Sequence, residues 1–384
     1  MSEASGRAYL DYLSGAPMRL EVRTSIQENL DAGVLGDPSR PYREAIEARE
    51  TIERARESVA GLFGVPGRSV TFTSSGTEAN NLAVYSACRD CPDGTVIVSA
   101  LDHSSVRKAA ERWASRVTEV PVDRTSVTPD LGALGHLMER LQARGEEVAF
   151  VACQAANHDT GVVQPVREIL DLCRDRGVAC LVDACAAFGY LASYDDVIAA
   201  DYVSVTAHKA GGPAGAGLLL APGPRRVKGL ILGAEQERAR RAGFENTAAI
   251  VGMGALAGLL GQGDLAGKEL ERYRSLSHAL RCHAEASSGL EVLLASAAGL
   301  PNVTLLSTMK LRAEAVLIGL DGRGVSVHSG SSCSSEAFVP SEVFGHLAID
   351  GDTVLRLSVG WRTTEADITR FTAECDRVLA GLAG

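Results

Sequence analysis

Lys209 and Cys333 carry the two side chains best suited to reactive chemistry, and each lies in a local sequence that would present it. Lys209 follows Asp201-Tyr-Val-Ser-Val-Thr206-Ala-His208, which reads as a short buried strand ending in polar groups. Gly211-Gly-Pro-Ala-Gly-Ala-Gly217 comes next, too flexible a stretch to be filler beside an apolar strand. Cys333 sits in Val327-His-Ser-Gly-Ser-Ser-Cys333-Ser-Ser. A structural cysteine has apolar neighbours, whereas one ringed by serine and glycine has the access a thiolate nucleophile needs. A lysine amine can hold a carbonyl cofactor as a Schiff base, and an exposed thiolate can attack what that cofactor activates.

Other residues extend this chemistry. Ser74-Ser-Gly-Thr77-Glu directly follows a strand and opens a helix. Its free backbone N–H groups, the close approach allowed by Gly76 and the Thr77 hydroxyl make either an anion site or an ordinary N-cap. Asp183 ends the apolar strand Cys180-Leu-Val-Asp183. There it could keep a pyridine nitrogen protonated or cap the next helix. His103, in Leu101-Asp-His103-Ser-Ser, could lie flat on a cofactor ring or act as a cap, and His208 beside the lysine has the same two readings. Arg356 shares a strand face with Val354 and Ser358. A guanidinium so placed needs an anion, either a substrate carboxylate or an internal Asp or Glu. Together with Lys209 and Cys333, these groups suggest pyridoxal 5'-phosphate (PLP) chemistry that passes sulfur to a cysteine.

The elements that must position these residues follow from periodicity. Ala45, Ala48, Ile52, Ala55, Val59 and Leu62 recur three and four apart, which predicts an amphipathic helix over about 41–63. Strands are expected at Val70–Thr73, Val96–Ser99, Val148–Cys153, Ala179–Asp183, Tyr202–Val205 and Ala216–Leu220. Helices should fall between several of them, at about 77–87, 104–115, 128–143 and 165–176. This alternation predicts an α/β domain with a mostly parallel central sheet, its ligands at the strand C-terminal ends. Beyond about 247 two long helices (246–261 and 267–287) lead to strands at Val303–Leu306, Ala315–Gly319 and Val354–Val359. A closing helix is announced by the capping pattern Thr364-x-x-Asp367. We read residues 18–246 as a large domain, and 1–17 with 247–384 as a smaller α+β domain carrying the cysteine loop.

Composition bounds the partners. The 384 residues suffice for two cores, and a net charge of −10 argues against nucleic acid or an anionic membrane as the main partner. No run of about 18 apolar residues could span a bilayer, and the N-terminus lacks a signal pattern, so a cytoplasmic protein is expected. The nine cysteines are scattered, and the lone Cys88-x-x-Cys91 has no second ligand pair for zinc, so no metal is expected.

Several of these motifs in order resemble a known family. Tyr9-Leu-Asp-Tyr, Thr73-Ser-Ser-Gly-Thr-Glu, Asp102-His103, Val182-Asp183, Ala207-His-Lys209, Arg241-Ala-Gly243, Ser329-Gly-Ser-Ser-Cys333 through Pro340-Ser341, and Arg356-Leu-Ser-Val-Gly run nearly end to end. They resemble the cysteine desulfurases, fold-type I PLP enzymes of the class V aminotransferase group. The resemblance implies that Lys209 holds PLP and moves protons, Asp183 pairs with the pyridinium and His103 stacks on the ring. It implies that Gly76, Thr77, Thr206 and His208 bind the phosphate and Arg356 the substrate carboxylate. Cys333 would then take the sulfur of L-cysteine as a persulfide for an acceptor protein, releasing L-alanine. A homodimer is implied as well. Three positions depart from the pattern. Ala186 replaces a common glutamine, Phe244 a threonine that reaches the partner's phosphate, and His158 an asparagine near cofactor and substrate carboxylate. Two rival readings accompany this one: another PLP lyase or aminotransferase, selenocysteine lyase included, or an impaired scaffold in a sulfur-transfer assembly.

Overall fold

The computed structural model describes residues 6–33, 36–330 and 341–383. Its main sheet contains β1 (Val70–Thr73), β2 (Thr95–Ser99), β3 (Arg116–Val120), β4 (Val148–Gln154), β5 (Ala179–Asp183), β6 (Tyr202–Thr206) and β7 (Gly217–Leu220). The strand order is β1-β7-β6-β5-β4-β2-β3. β7 is antiparallel to both neighbours and the remaining pairs are parallel. Every residue of β1, β2, β5, β6 and β7 is buried. Such strands read as continuous apolar runs because helices cover both faces of the sheet.

Those helices are α1 (Leu20–Asp31), α2 (Arg43–Phe63), α3 (Gly76–Asp90), α4 (Ser104–Trp113), α5 (Leu131–Ala143), α6 (Val166–Arg174) and α7 (Thr247–Leu260). α2 buries Ala45, Ala48, Ile52, Ala55 and Val59, the stripe its periodicity announced, and stops at Gly64 in the left-handed conformation. α7 lies against α1 and α2. It is apolar nearly all round because it is enclosed, and among the described residues no single helix is long and apolar enough to cross a membrane.

A second sheet, antiparallel throughout, has the order β8 (Glu291–Val292), β9 (Val303–Ser307), β11 (Val354–Ser358), β10 (His328–Ser329). α8 (Gly263–Ala286), α9 (Ala313–Asp321) and α10 (Glu365–Ala383) accompany it, with α10 packed on both α8 and α9. The strand expected at Ala315–Gly319 is in fact part of helix α9. Ala313, Val316 and Leu320 are buried at helical spacing while Ile318 is exposed, so the short apolar run was one-sided rather than fully enclosed. Residues before α1 cross to this side: Ala8–Tyr9 forms a separate parallel pair with Val325–Ser326, and Ser358 N–H of β11 donates to Leu10 O at 2.8 Å.

Candidate active site

The C-terminal ends of β1, β2, β4, β5 and β6 open onto one cavity of about 250 Å³. Gly76, Thr77, His103, His158, Asp183, Thr206, His208, Lys209 and Arg356 all line it. Cys333 lies outside the described residues. Lys209 leaves the end of β6, where Tyr190 Oη donates to its carbonyl at 2.8 Å. His208 O accepts from Ala16 N–H at 2.8 Å, so the N-terminal segment runs along the lysine loop.

Asp183 stands where β5 ends. Its two oxygens accept from Asn80 Nδ2 at 2.8 Å and Cys185 N–H at 2.9 Å. Burial works to raise its pKa but is outweighed by His103 and by these two hydrogen bonds, which hold the carboxyl below its ordinary range. With its pKa held below the ordinary range, Asp183 is ionised at neutral pH. Asn80, which sequence reasoning missed, is itself fixed by donating to Ser105 Oγ at 2.9 Å and accepting from Ser204 Oγ. The signal was there: a polar residue one turn beyond Gly76 on the buried face of α3.

His103 caps α4, taking Ser105 N–H on Nδ1 at 3.1 Å. Since Nδ1 accepts, a neutral ring carries its proton on Nε2. Burial, with Lys209 nearby, lowers its pKa against the pull of Asp183 and Asp159, so that neutral form prevails. Its edge meets the His158 ring, centroids 4.9 Å apart and planes at 77°.

The His158 tautomer is fixed by a chain of amides. Asn157 Oδ1 accepts from the backbone N–H of Asp159 (3.0 Å) and Thr160 (2.8 Å), so its Nδ2 must be the group that donates to Gln154 Oε1 at 3.1 Å. Gln154 Nε2 then donates to His158 Nδ1 at 3.0 Å, which leaves the proton on Nε2, 3.4 Å from Asp159 Oδ2. Burial pushes the imidazole down to about 4. His158 is therefore a neutral ring whose Nδ1 is taken by Gln154 and whose Nε2–H faces Asp159.

Asp159 Oδ2 also accepts from Ser341 Oγ at 2.5 Å, and Ser341 N–H donates to Gly330 O at 2.9 Å. The two residues flanking 331–340 are thus bonded to each other, and one of them to the cavity wall. Arg356 donates from Nη1 to His158 O at 2.7 Å and from Nη2 to Asp11 Oδ1 (3.1 Å) and Ser14 Oγ (2.6 Å). The internal carboxylate foreseen as one partner for this guanidinium is Asp11. Arg356 Nε is buried with no partner among the described residues, leaving one N–H for a ligand.

At the other end of the cavity, Ser75 Oγ caps α3 by accepting from Glu78 N–H at 3.1 Å. The amides of Gly76 and Thr77 belong to the first helical turn, which has no internal acceptor for them. A Cβ on Gly76 would lie 2.3 Å from Cys185 Sγ, so the turn sits as close to β5 and β6 as a backbone can. Thr206 Oγ1 lies 2.9 Å from His208 Nδ1 beside it. Ala186 lines the cavity with only a methyl group, and Phe244 is 58% exposed.

A sequence model of the aminotransferase class-V family matches residues 8–371. The chain is 30% identical to a protein named cysteine desulfurase IscS 1 of Archaeoglobus fulgidus, over 94% of each chain. It is 31% identical to the cysteine desulfurase NifS of Azotobacter vinelandii, over 90% of this chain and 86% of that one. The crystal structure of a NifS-like protein from Rickettsia africae superposes with a TM-score of 0.86 at 25% identity, covering 97% of this chain and 99% of that one.

Proposed function

Because the chain belongs to the aminotransferase class-V family, and within it to the cysteine desulfurases, we propose that it converts L-cysteine to L-alanine and collects the sulfur on Cys333. The family depends on PLP, and the cavity suits it in donor chemistry: an amine, an ionised carboxylate, and a cradle of amides and hydroxyls closed by a glycine whose Cβ would not fit. When bound, PLP supplies an aldehyde that links to amines and a protonated ring that draws electrons from the substrate carbons.

The remaining work falls to side chains of this protein. Lys209 is the one lysine lining the cavity among the described residues; its Nζ would hold the aldehyde and would carry protons at the substrate carbon. Asp183 stays ionised and keeps the ring nitrogen protonated. His103 supplies a flat neutral face with its Nε2–H turned away from Ser105. Arg356 offers its free Nε–H to the substrate carboxylate, at a guanidinium already oriented by Asp11, Ser14 and the His158 carbonyl. Gly76, Thr77, Thr206 and His208 hold the phosphate.

The Cys333 thiolate attacks the substrate sulfur, the Cβ–S bond breaks, and carbon gains the proton and electron pair that sulfur gives up. L-cysteine plus thiol becomes L-alanine plus persulfide, with no outside oxidant. One observation carries this reading: Ser341, which closes the segment bearing Cys333, is bonded to Asp159 in the wall of the Lys209 cavity. A homodimer, supported by the exposed Leu232 and Phe244, and an acceptor protein for the sulfur belong to the same reading. Product analysis tests it. L-cysteine with a reductant should yield alanine and sulfide in equal amounts, and a keto acid with amino-group transfer would contradict it.

A further inference from the structure

Resting on the reading of Gly76 and Thr77 as part of a phosphate site, we propose that Arg241 is a positioning residue that neutralises Glu78 and so lets a dianionic phosphate bind at the start of α3.

Glu78 is the third residue of that helix, directly behind the two amides that line the cavity. Its Oε2 accepts from Ser74 N–H at 2.8 Å and from the Ser74 hydroxyl, which folds the carboxylate back over the helix entrance. A carboxylate at a helix N-terminus satisfies the helix dipole by itself and repels a second anion. Here the repulsion is cancelled, because Arg241 Nε donates to Glu78 Oε1 at 2.9 Å, with side chains only 25% and 13% exposed. Burial tends to raise the Glu78 pKa but is outweighed by Arg241 and Ser74, so the ion pair is fully formed.

The backbone is arranged to deliver this arginine. Glu237, Arg238 and Ala239 have φ of 49°, 60° and 60°, successive left-handed residues that L side chains avoid. What holds them is a buried carboxylate. Glu237 accepts from Arg56 Nη2 at 2.7 Å and Nη1 at 2.9 Å, and from Phe72 N–H of β1 at 2.8 Å. Arg240 adds a bond to Arg68 O at 2.7 Å. The turn is thereby stitched to β1, the strand that leads into α3, and Arg241 emerges from it facing Glu78.

The test compares two aldehydes that share a ring and differ only in the phosphate. Full-length apoprotein is titrated with PLP and with pyridoxal, binding being read from the absorption of the bound chromophore. Arg241→Gln should weaken PLP by about tenfold or more and leave pyridoxal within about twofold. Arg241→Lys should recover part of the loss, and Glu78→Gln added to Arg241→Gln should recover most of it. Parallel loss of both aldehydes would overturn the inference, since a purely structural role predicts that. A double variant no better than Arg241→Gln would also overturn it. Wild-type protein that binds neither aldehyde would instead contradict the PLP reading itself.

Discussion

His158 is held neutral by burial, with Nδ1 taken by Gln154 and Nε2–H facing Asp159. This has a consequence for stability. The folded chain protonates His158 only at about 4, whereas an unfolded histidine does so near 6.5. Between those values the unfolded state binds more protons, so stability is complete above pH ~6.5 and lost as pH falls toward ~4, at up to ~1.4 kcal/mol per pH unit for each such group. His328, also pushed down to about 4 chiefly by burial, adds a second share. His158→Asn should therefore give a shallower fall in thermal midpoint across this window than wild type; an unchanged slope would contradict the neutral, buried assignment. At this scale the sequence was informative about reactive types and uninformative about partners. Lys209, Asp183 and His103 stand out because ionisable groups at the ends of apolar strands are costly unless used. Asn80, Gln154 and Asp159 were missed because their roles exist only through side chains brought in from other elements.

At the scale of elements, the site is made by strands that stop together. Each of β1, β4, β5 and β6 ends in a polar residue, and the antiparallel β7 fits between β1 and β6 with Gly217 opposite Thr73 and Thr206. A Cβ on Gly217 would lie 2.4 Å from the Ser75 carbonyl carbon, against backbone that opens α3. Gly217→Ala should cost about 1–3 kcal/mol in urea unfolding and weaken PLP binding, because the phosphate cradle must move to relieve it. Full stability with wild-type PLP affinity would show that the cradle does not depend on this close approach. Period and capping revealed α2 and the buried parallel strands β2, β4, β5 and β6, since burial on one stripe or on both faces leaves a direct trace in composition, but not the parallel edge strand β3, which is largely exposed. They failed at α9, where the short apolar run Ala315–Leu320 admits either structure until packing decides. The left-handed turn at 237–239 was equally hidden, because no residue in it is a glycine and its support comes from Arg56 far away in sequence.

At the scale of the whole molecule, three distant stretches of chain share one site. The large sheet brings Lys209 and Asp183, the small sheet brings Arg356, and the N-terminal segment brings Asp11 and Ser14 to orient that arginine. The buried pair of Arg19 with Glu269 of α8 ties the same segment down beside the lysine loop, where Arg19 Nε donates to Ala210 O at 3.1 Å. The ordered motifs made the family legible from sequence. The convergence itself became visible only in the fold, since nothing local in Asp11 or Ser341 says which wall it will join. The most direct measurement is mass spectrometry of the PLP-loaded full-length protein after one exposure to L-cysteine, mapped by peptide. One added sulfur is expected on the Cys333 peptide, matched by one alanine, and neither product in Lys209→Ala. Alanine and sulfide formed at the wild-type rate by Cys333→Ser, or the added sulfur mapping to another cysteine, would contradict it.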